Sequence, residues 1–240
     1  MIVRTIWTWL VGFVATMVLS SGVVIGSVFH AKPYLYEWIA RNWGLVILWA
    51  AGIRVEVQNG QHIHMTEPQI VASNHQSWFD VFALAGVMPK KFRFVAKEEL
   101  GRIPIFGRAW NTAGHISVNR SDRMQAIRTL NHFGKLVREN NSAIVIFPEG
   151  TRSWDGKLLP FKKGAFMLAL HTHVDIVPTA VIGGRAIQKK GDWRIRKGRL
   201  IVRFGEPIST VGYSETNRDE LIRIVQDRVA QLLSEGEGSL

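Results

Sequence analysis

From Ile6 to Phe29 the chain runs for 24 residues without a charged side chain. As a helix such a run reaches ~36 Å, longer than the ~30 Å hydrocarbon core of a bilayer. A segment this apolar must be covered by other protein or by lipid, so it limits every fold the chain can adopt. Trp7 and Trp9 mark one end in the manner of an interfacial belt. A cleaved signal peptide is the alternative. The run is long for the apolar part of such a leader, and Ser27-Val28-Phe29-His30-Ala31 lacks a small-x-small cleavage pattern. We read it as a retained membrane segment. Arg4 and Lys32 flank it almost equally, which leaves its orientation open.

Lys32-Pro33 breaks that helix. Tyr34 to Ile53 then reads as a second one, with Trp38, Ile39, Trp43, Val46, Ile47, Trp49 and Ala50 apolar and Glu37 and Arg41 early. Two helices joined by a short turn form a hairpin, which can span a bilayer or lie in one leaflet. Length alone does not separate the two. The second helix also fits a soluble helix packed on the domain that follows. Residues 1–53 are assigned to a membrane-anchoring helical hairpin and 54–240 to a globular domain.

From Arg54 the pattern alternates. Strands are expected at Val55–Val57, Ile70–Ser73, Phe92–Ala96, Ile116–Val118, Ala143–Phe147, Ile176–Val181 and Leu200–Phe204. Helices are expected around Val81–Val87, Met124–Glu139, Ala165–His171 and Leu221–Leu233. Met124, Ile127, Leu130, Phe133 and Leu136 keep the spacing of an amphipathic core stripe, as do Leu221, Val225, Val229 and Leu232. The alternation argues for a single α/β domain with a largely parallel, roughly seven-stranded sheet flanked by helices. At 240 residues, 47% of them apolar, the chain can bury a real core. The tail from Ser234 to Leu240 is expected to fray.

Three stretches carry chemistry. In Asn74-His75-Gln76-Ser77-Trp78-Phe79-Asp80 an apolar strand gives way to a helix start, where unpaired N–H groups favour negative charge. Histidine is suited to moving a proton near neutral pH, and an aspartate can hold its tautomer. Residues five apart do not share a helix face, so the pair meets only if His75 stays in the loop. By itself such a pair also fits a turn residue and an ordinary first-turn acid. Phe147-Pro148-Glu149-Gly150-Thr151-Arg152-Ser153 ends a strand, the side of an open α/β sheet where ligands bind. Gly150 permits a tight turn, Arg152 can grip a phosphate, and Glu149 can accept from a substrate hydroxyl or orient Arg152. An ordinary strand-end turn with a Glu–Arg pair fits equally well. Lys97 and Arg120 sit at strand ends, where they can add positive charge to the same pocket or be solvated surface cations.

With no cysteine, disulfides, thiol nucleophiles and cysteine-based zinc sites are excluded. The +11 formal charge points to an anionic partner, and the nine tryptophans and twelve phenylalanines tilt this toward a membrane surface. His62-x-His64 and His171-x-His173 have no matching carboxylate cluster, and we read them as ordinary surface or core histidines rather than a metal site. The basic stretch Lys189–Arg199 reads as a solvated hairpin loop. It can also touch anionic head groups or an acidic carrier protein. No nucleic-acid-binding motif accompanies the charge.

Taken in order, Asn74-His75-x4-Asp80, Lys97-x-Glu99-Leu100 with Pro104 and Gly107, Gly114-x-Ile116-x-Val118-x-Arg120, Phe147–Ser153 and Ile176-Val177-Pro178-Thr179-Ala180 resemble the lysophosphatidic acid acyltransferases, formally 1-acyl-sn-glycerol-3-phosphate acyltransferases. The similarity covers roughly residues 50 to 210. It implies acyl transfer from acyl-CoA or an acyl-carrier protein to a membrane lysophospholipid, with His75 taking the hydroxyl proton and Asp80 orienting His75. It further implies that Glu149, Gly150, Thr151 and Arg152 line the acceptor site, that Arg152, Lys97 and Arg120 face its phosphate, and that no metal or organic cofactor is needed. Backbone N–H groups near the His75 turn are expected to stabilise the oxyanion. The resemblance implies a membrane-associated enzyme with its catalytic domain on the cytoplasmic face of a bacterial inner membrane. Another lysophospholipid or a glycolipid acceptor, a thioesterase, or a lipid-binding protein without turnover are the alternatives.

Overall fold

The computed structural model describes residues 1–119, 129, 133–134 and 136–237. The apolar run becomes α1 (Ile2–Val28), and after Pro33 at the first helical position comes α2 (Pro33–Ala51). Gly52 closes α2 in a left-handed conformation, its N–H donating to Leu48 O and Trp49 O. The expected second helix is therefore two residues too long at its end. Ile53 instead opens β1 (Ile53–Gln58).

The strands that follow are β2 (Gln69–Ser73), β3 (Phe92–Lys97), β4 (Ile116–Val118), β5 (Ala143–Ile146), β6 (Asp175–Ile182) and β7 (Gly198–Phe204). The described residues form one seven-stranded sheet in the order β1-β7-β6-β2-β5-β3-β4. Every neighbouring pair is parallel except β6 with β7. Helices α3 (Trp78–Val87), α4 (Phe106–Thr112), α5 (Gly164–Thr172), the single turn α6 (Gly184–Ile187) and α7 (Arg218–Glu237) connect and cover it.

The central strand β2 is buried throughout, and the register shows why its apolar run is continuous. Val71 sits between Val145 and Val177 and faces a layer containing Ile47, Leu48, Phe79 and Leu84 of α2 and α3. Ile70, beside Ile144 and Ile176, faces the opposite layer, with Phe166 and Leu168 of α5 and Leu221, Val225 and Val229 of α7. A strand covered on both faces has no polar side to display. Because α2 contributes Ile47, Leu48 and Ala51 to this core, it packs as part of the α/β body. α1 keeps one face inward, burying Thr5, Thr8, Ser20 and Val23, and leaves Ile6, Phe13, Val18 and Val28 exposed.

Two short helices, α4 and α6, were not expected from sequence. Each is too brief to show a 3.6-residue repeat. α7 runs four residues beyond Leu233, so Ser234–Glu237 do not fray. Ser234 Oγ donates to Gln231 O (2.8 Å), and Arg203 caps the Leu232 carbonyl from β7 (3.1 Å). Of the helix expected over Met124–Glu139, residues 136–139 are helical, while Met124, Ile127 and Leu130 lie outside the described residues.

Candidate active site

β2 and β5 lie side by side and parallel, with Ala72 opposite Ile146. Their carboxyl ends therefore release the His75 loop and the Phe147–Ser153 loop next to each other. Asn74 anchors the first loop to β6, donating from Nδ2 to Val181 O (3.0 Å) and accepting Val181 N–H on Oδ1 (2.7 Å).

His75 stays in the loop because the helix starts later, at a cap built by its neighbours. Ser77 is the N-cap residue: its hydroxyl accepts Phe79 N–H (3.3 Å), while Asp80 reaches back to accept Ser77 N–H (2.8 Å). This capping box starts α3 three residues ahead of the expected Val81. It also aims the Asp80 carboxylate out of the helix. Asp80 Oδ2 accepts from Gln76 N–H (2.6 Å) and from His75 Nδ1–H (3.0 Å). The aspartate is fully buried and 13% of the histidine side chain is exposed. With Nδ1 engaged by a carboxylate, the imidazole is held in the tautomer whose Nε2 can accept a proton. Phe147 stacks on the ring, with centroids 4.1 Å apart and planes at 18°.

Glu149 is brought to this cluster in a way the sequence did not indicate. Its Oε1 accepts the backbone N–H of His75 (2.6 Å) and its Oε2 that of Leu159 (3.0 Å). In return, Ser153 N–H donates to His75 O (2.9 Å). The glutamate thus pins the two loops together. Burial, opposed by these two N–H groups, pushes its carboxyl up to about 7. Gly150 turns the chain at φ +70°, and Lys162 crowds the space where a side chain would begin.

The Arg152 guanidinium lies over the Trp78 ring, 4.8 Å from its centroid. Among the described residues it makes no ion pair with a carboxylate. Burial lowers its pKa, and the Asp80 charge opposes that shift. A half-buried cation of this kind is suited to an anionic group. Lys190 braces the same loop from the far side, donating to Thr151 Oγ1 (3.0 Å) and Arg152 O (2.8 Å). Thr151 is exposed beside it.

Lys97 ends β3, two strands from β2. It pairs with Glu99 at 3.7 Å and is 60% exposed, without a hydrogen bond to the His75 cluster among the described residues. Arg120 lies outside the described residues. The expectation that N–H groups near the His75 turn serve an oxyanion is narrowed by the structure. Those of His75, Gln76 and Ser77 are already taken by Glu149 and Asp80. His62 contacts Phe204 O (3.1 Å), and His171 pairs with Glu215 (2.9 Å).

Sequence reasoning did not assign roles to Ser77, Phe147, Lys190 or the Val181 contact of Asn74. Only Ser77 left a local signal, the Ser-x-x-Asp spacing of a capping box.

A carboxylate-held imidazole thus sits at the ends of parallel strands near a half-buried arginine, an arrangement suited to moving a proton beside an anionic group. The Acyltransferase family model matches residues 54–182. Among curated relatives, the 1-acyl-sn-glycerol-3-phosphate acyltransferase of Limnanthes alba is 35% identical over 199 residues, covering 81% of this chain and 70% of the relative. The enzyme of the same name from Saccharomyces cerevisiae is 35% identical over 207 residues, covering 85% of this chain and 68% of the relative. The solved structure of the 1-acyl-sn-glycerophosphate acyltransferase PlsC from Thermotoga maritima superposes with a TM-score of 0.82. It is 24% identical, with 98% of this chain and 96% of that one covered, and so shares the fold. The chain belongs to the 1-acyl-sn-glycerol-3-phosphate acyltransferase family.

Proposed function

We propose that this chain transfers a fatty acyl group from an acyl thioester to the free hydroxyl of lysophosphatidic acid, giving phosphatidic acid. The observation that carries the reading is the 3.0 Å contact between His75 Nδ1 and Asp80 Oδ2, which leaves Nε2 as the base. His75 Nε2 takes the hydroxyl proton as the oxygen attacks the thioester carbonyl. The tetrahedral intermediate then breaks its C–S bond, and the imidazolium returns the proton to the departing thiolate. General base catalysis of this kind is worth ~10²–10⁴-fold. Holding hydroxyl and thioester together adds a larger share, about 7–11 kcal/mol in favourable cases. The thioester is reactive enough for direct attack, so no enzyme nucleophile is required.

Arg152, over Trp78 and beside the His75 loop, takes the acceptor phosphate. Gly150 and Thr151 shape that end of the site, and Glu149 acts by fixing the His75 backbone. Lys97 supplies longer-range positive charge from the end of β3, and Arg120 is assigned to the same phosphate.

The exposed apolar face of α1, with Trp38, Leu45 and Trp49 of α2, anchors the enzyme in the bilayer. Thr8 of α1 donates to Ala50 O near one end, and Val23 packs with Ala109 of α4 near the other. A helix covered by the body of the protein at both ends fits a hairpin lying in one leaflet. The +11 charge favours an anionic cytoplasmic surface such as that of a bacterial inner membrane, where soluble acyl-CoA and acyl-carrier protein meet the lipid acceptor.

The test is turnover by the purified protein with lysophosphatidic acid and, separately, acyl-CoA and acyl-carrier protein donors. Phosphatidic acid is expected from at least one donor and not from the His75→Ala variant. Its absence with both donors would overturn the reading, and a fully active His75→Ala would remove the base assignment.

A further inference from the structure

Asp80 uses its two carboxylate oxygens unequally. Oδ2 accepts three N–H groups, those of His75 Nδ1, Gln76 and Ser77. Oδ1 is buried and has no hydrogen-bond partner among the described residues. A bare buried oxygen is costly, and a carboxylate can turn about its own bond to share its burden. Something must hold this one in its lopsided orientation.

The group standing against Oδ1 is Gly184, in the turn α6 directly after β6. A Cβ on residue 184 would lie 2.3 Å from Asp80 Oδ1, 3.1 Å from Ser77 Cβ and 3.4 Å from Asp80 Cγ. The first distance is well inside van der Waals contact. Oδ1 therefore occupies the space that any side chain at residue 184 would need. Gly184 lies beyond the 54–182 segment matched by the family model. It reaches the site because β6 pairs in parallel with β2 and delivers its following turn to the same sheet edge.

We propose that Gly184 is a positioning residue for catalysis. By leaving room for Oδ1 and none for a side chain, it sets the Asp80 carboxylate so that Oδ2 meets His75 Nδ1. Through Asp80 it keeps His75 Nε2 turned to the substrate. The inference rests on His75 being the base.

The experiment compares wild type, Gly184→Ala and His75→Gln in detergent, reading kcat, KM and the downfield proton resonance of the His75 Nδ1–H, assigned by its loss in His75→Gln. Gly184→Ala is expected to lower kcat by ~10²-fold or more, by loss of an oriented base, with KM for both substrates little changed and the resonance lost or moved upfield. An unchanged kcat overturns the proposal, and so does a lost kcat with an unchanged resonance. If Gly184→Ala does not fold, Asp80→Gly/Gly184→Ala is compared with Asp80→Gly alone by thermal unfolding. A double variant as stable as Asp80→Gly supports the contact, and one clearly less stable places the role of Gly184 elsewhere. A His75→Gln enzyme with full kcat would refute the base assignment instead, whatever Gly184→Ala does.

Discussion

The Glu149 carboxylate accepts the backbone N–H of His75 at 2.6 Å, across 74 residues of sequence. The acid of the second motif thus acts on the first motif's main chain. Its other oxygen holds Leu159 N–H, so both oxygens are engaged within the protein. The two loops that make the site are one hydrogen-bonded unit.

That contact has a pH signature. Burial raises the Glu149 carboxyl from its ordinary 4.5 to about 7. The folded protein therefore keeps a proton that the unfolded chain releases between those values. Stability from this group is complete below about pH 4.5 and is lost as pH rises through about 7. Glu149→Gln cannot titrate, so its thermal midpoint should lack this decline. Midpoints measured across that window for both proteins check it, and parallel curves would refute the linkage.

Asp80→Asn should fold but act slowly. The amide keeps an oxygen to accept the Gln76, Ser77 and His75 N–H groups, but being neutral it does not stabilise an imidazolium. A fall in kcat of ~10²–10⁴-fold is expected, with acceptor KM changed far less. Steady-state kinetics with saturating donor measure it.

Arg152→Ala should raise the KM for a phosphorylated acceptor by ~10-fold or more, since a charge-assisted contact is worth about 1.5–3 kcal/mol. A monoacylglycerol lacking the phosphate should be insensitive to the same change. Lys190→Ala, which frees Thr151 and the Arg152 carbonyl, should move KM in the same direction by less. Equal losses for both acceptors would show that Arg152 does not read the phosphate.

Asn74→Ala strips two hydrogen bonds from Val181 and leaves its N–H and carbonyl unpaired inside the protein. Each unsatisfied group costs about 1–3 kcal/mol. For a chain of this size a loss of about 2 kcal/mol lowers the melting temperature by roughly 4–8 °C. Calorimetry checks it, and an unchanged midpoint would mean that the Asn74 bridge adds nothing.

Much of this arrangement is legible locally. Strand β2 announces itself as Ile70-Val71-Ala72 because both of its faces are covered, and α7 through Leu221, Val225 and Val229 because only one of its faces is. The condition that His75 must lie outside the helix to meet Asp80 follows from helical geometry, and the Ser77 cap meets it. By contrast, α4 and α6 span too few residues to repeat a pattern. The engaged N–H groups of the His75 turn leave no trace in residue order either.

The sequence alone therefore determined the seven strands in order, the longer periodic helices, the apolar length of α1 and the two loops that carry the polar residues. Each depends on neighbours within a few positions, where hydrophobic periodicity acts. Tertiary structure decided that Glu149 grips His75, that Phe147 stacks on the imidazole, that Arg152 rests on Trp78 and that Asp80 Oδ1 occupies the space a side chain at Gly184 would need. Those outcomes depend on which strand ends lie side by side. That is set by burying two apolar layers against one sheet, a condition no short stretch of the chain contains.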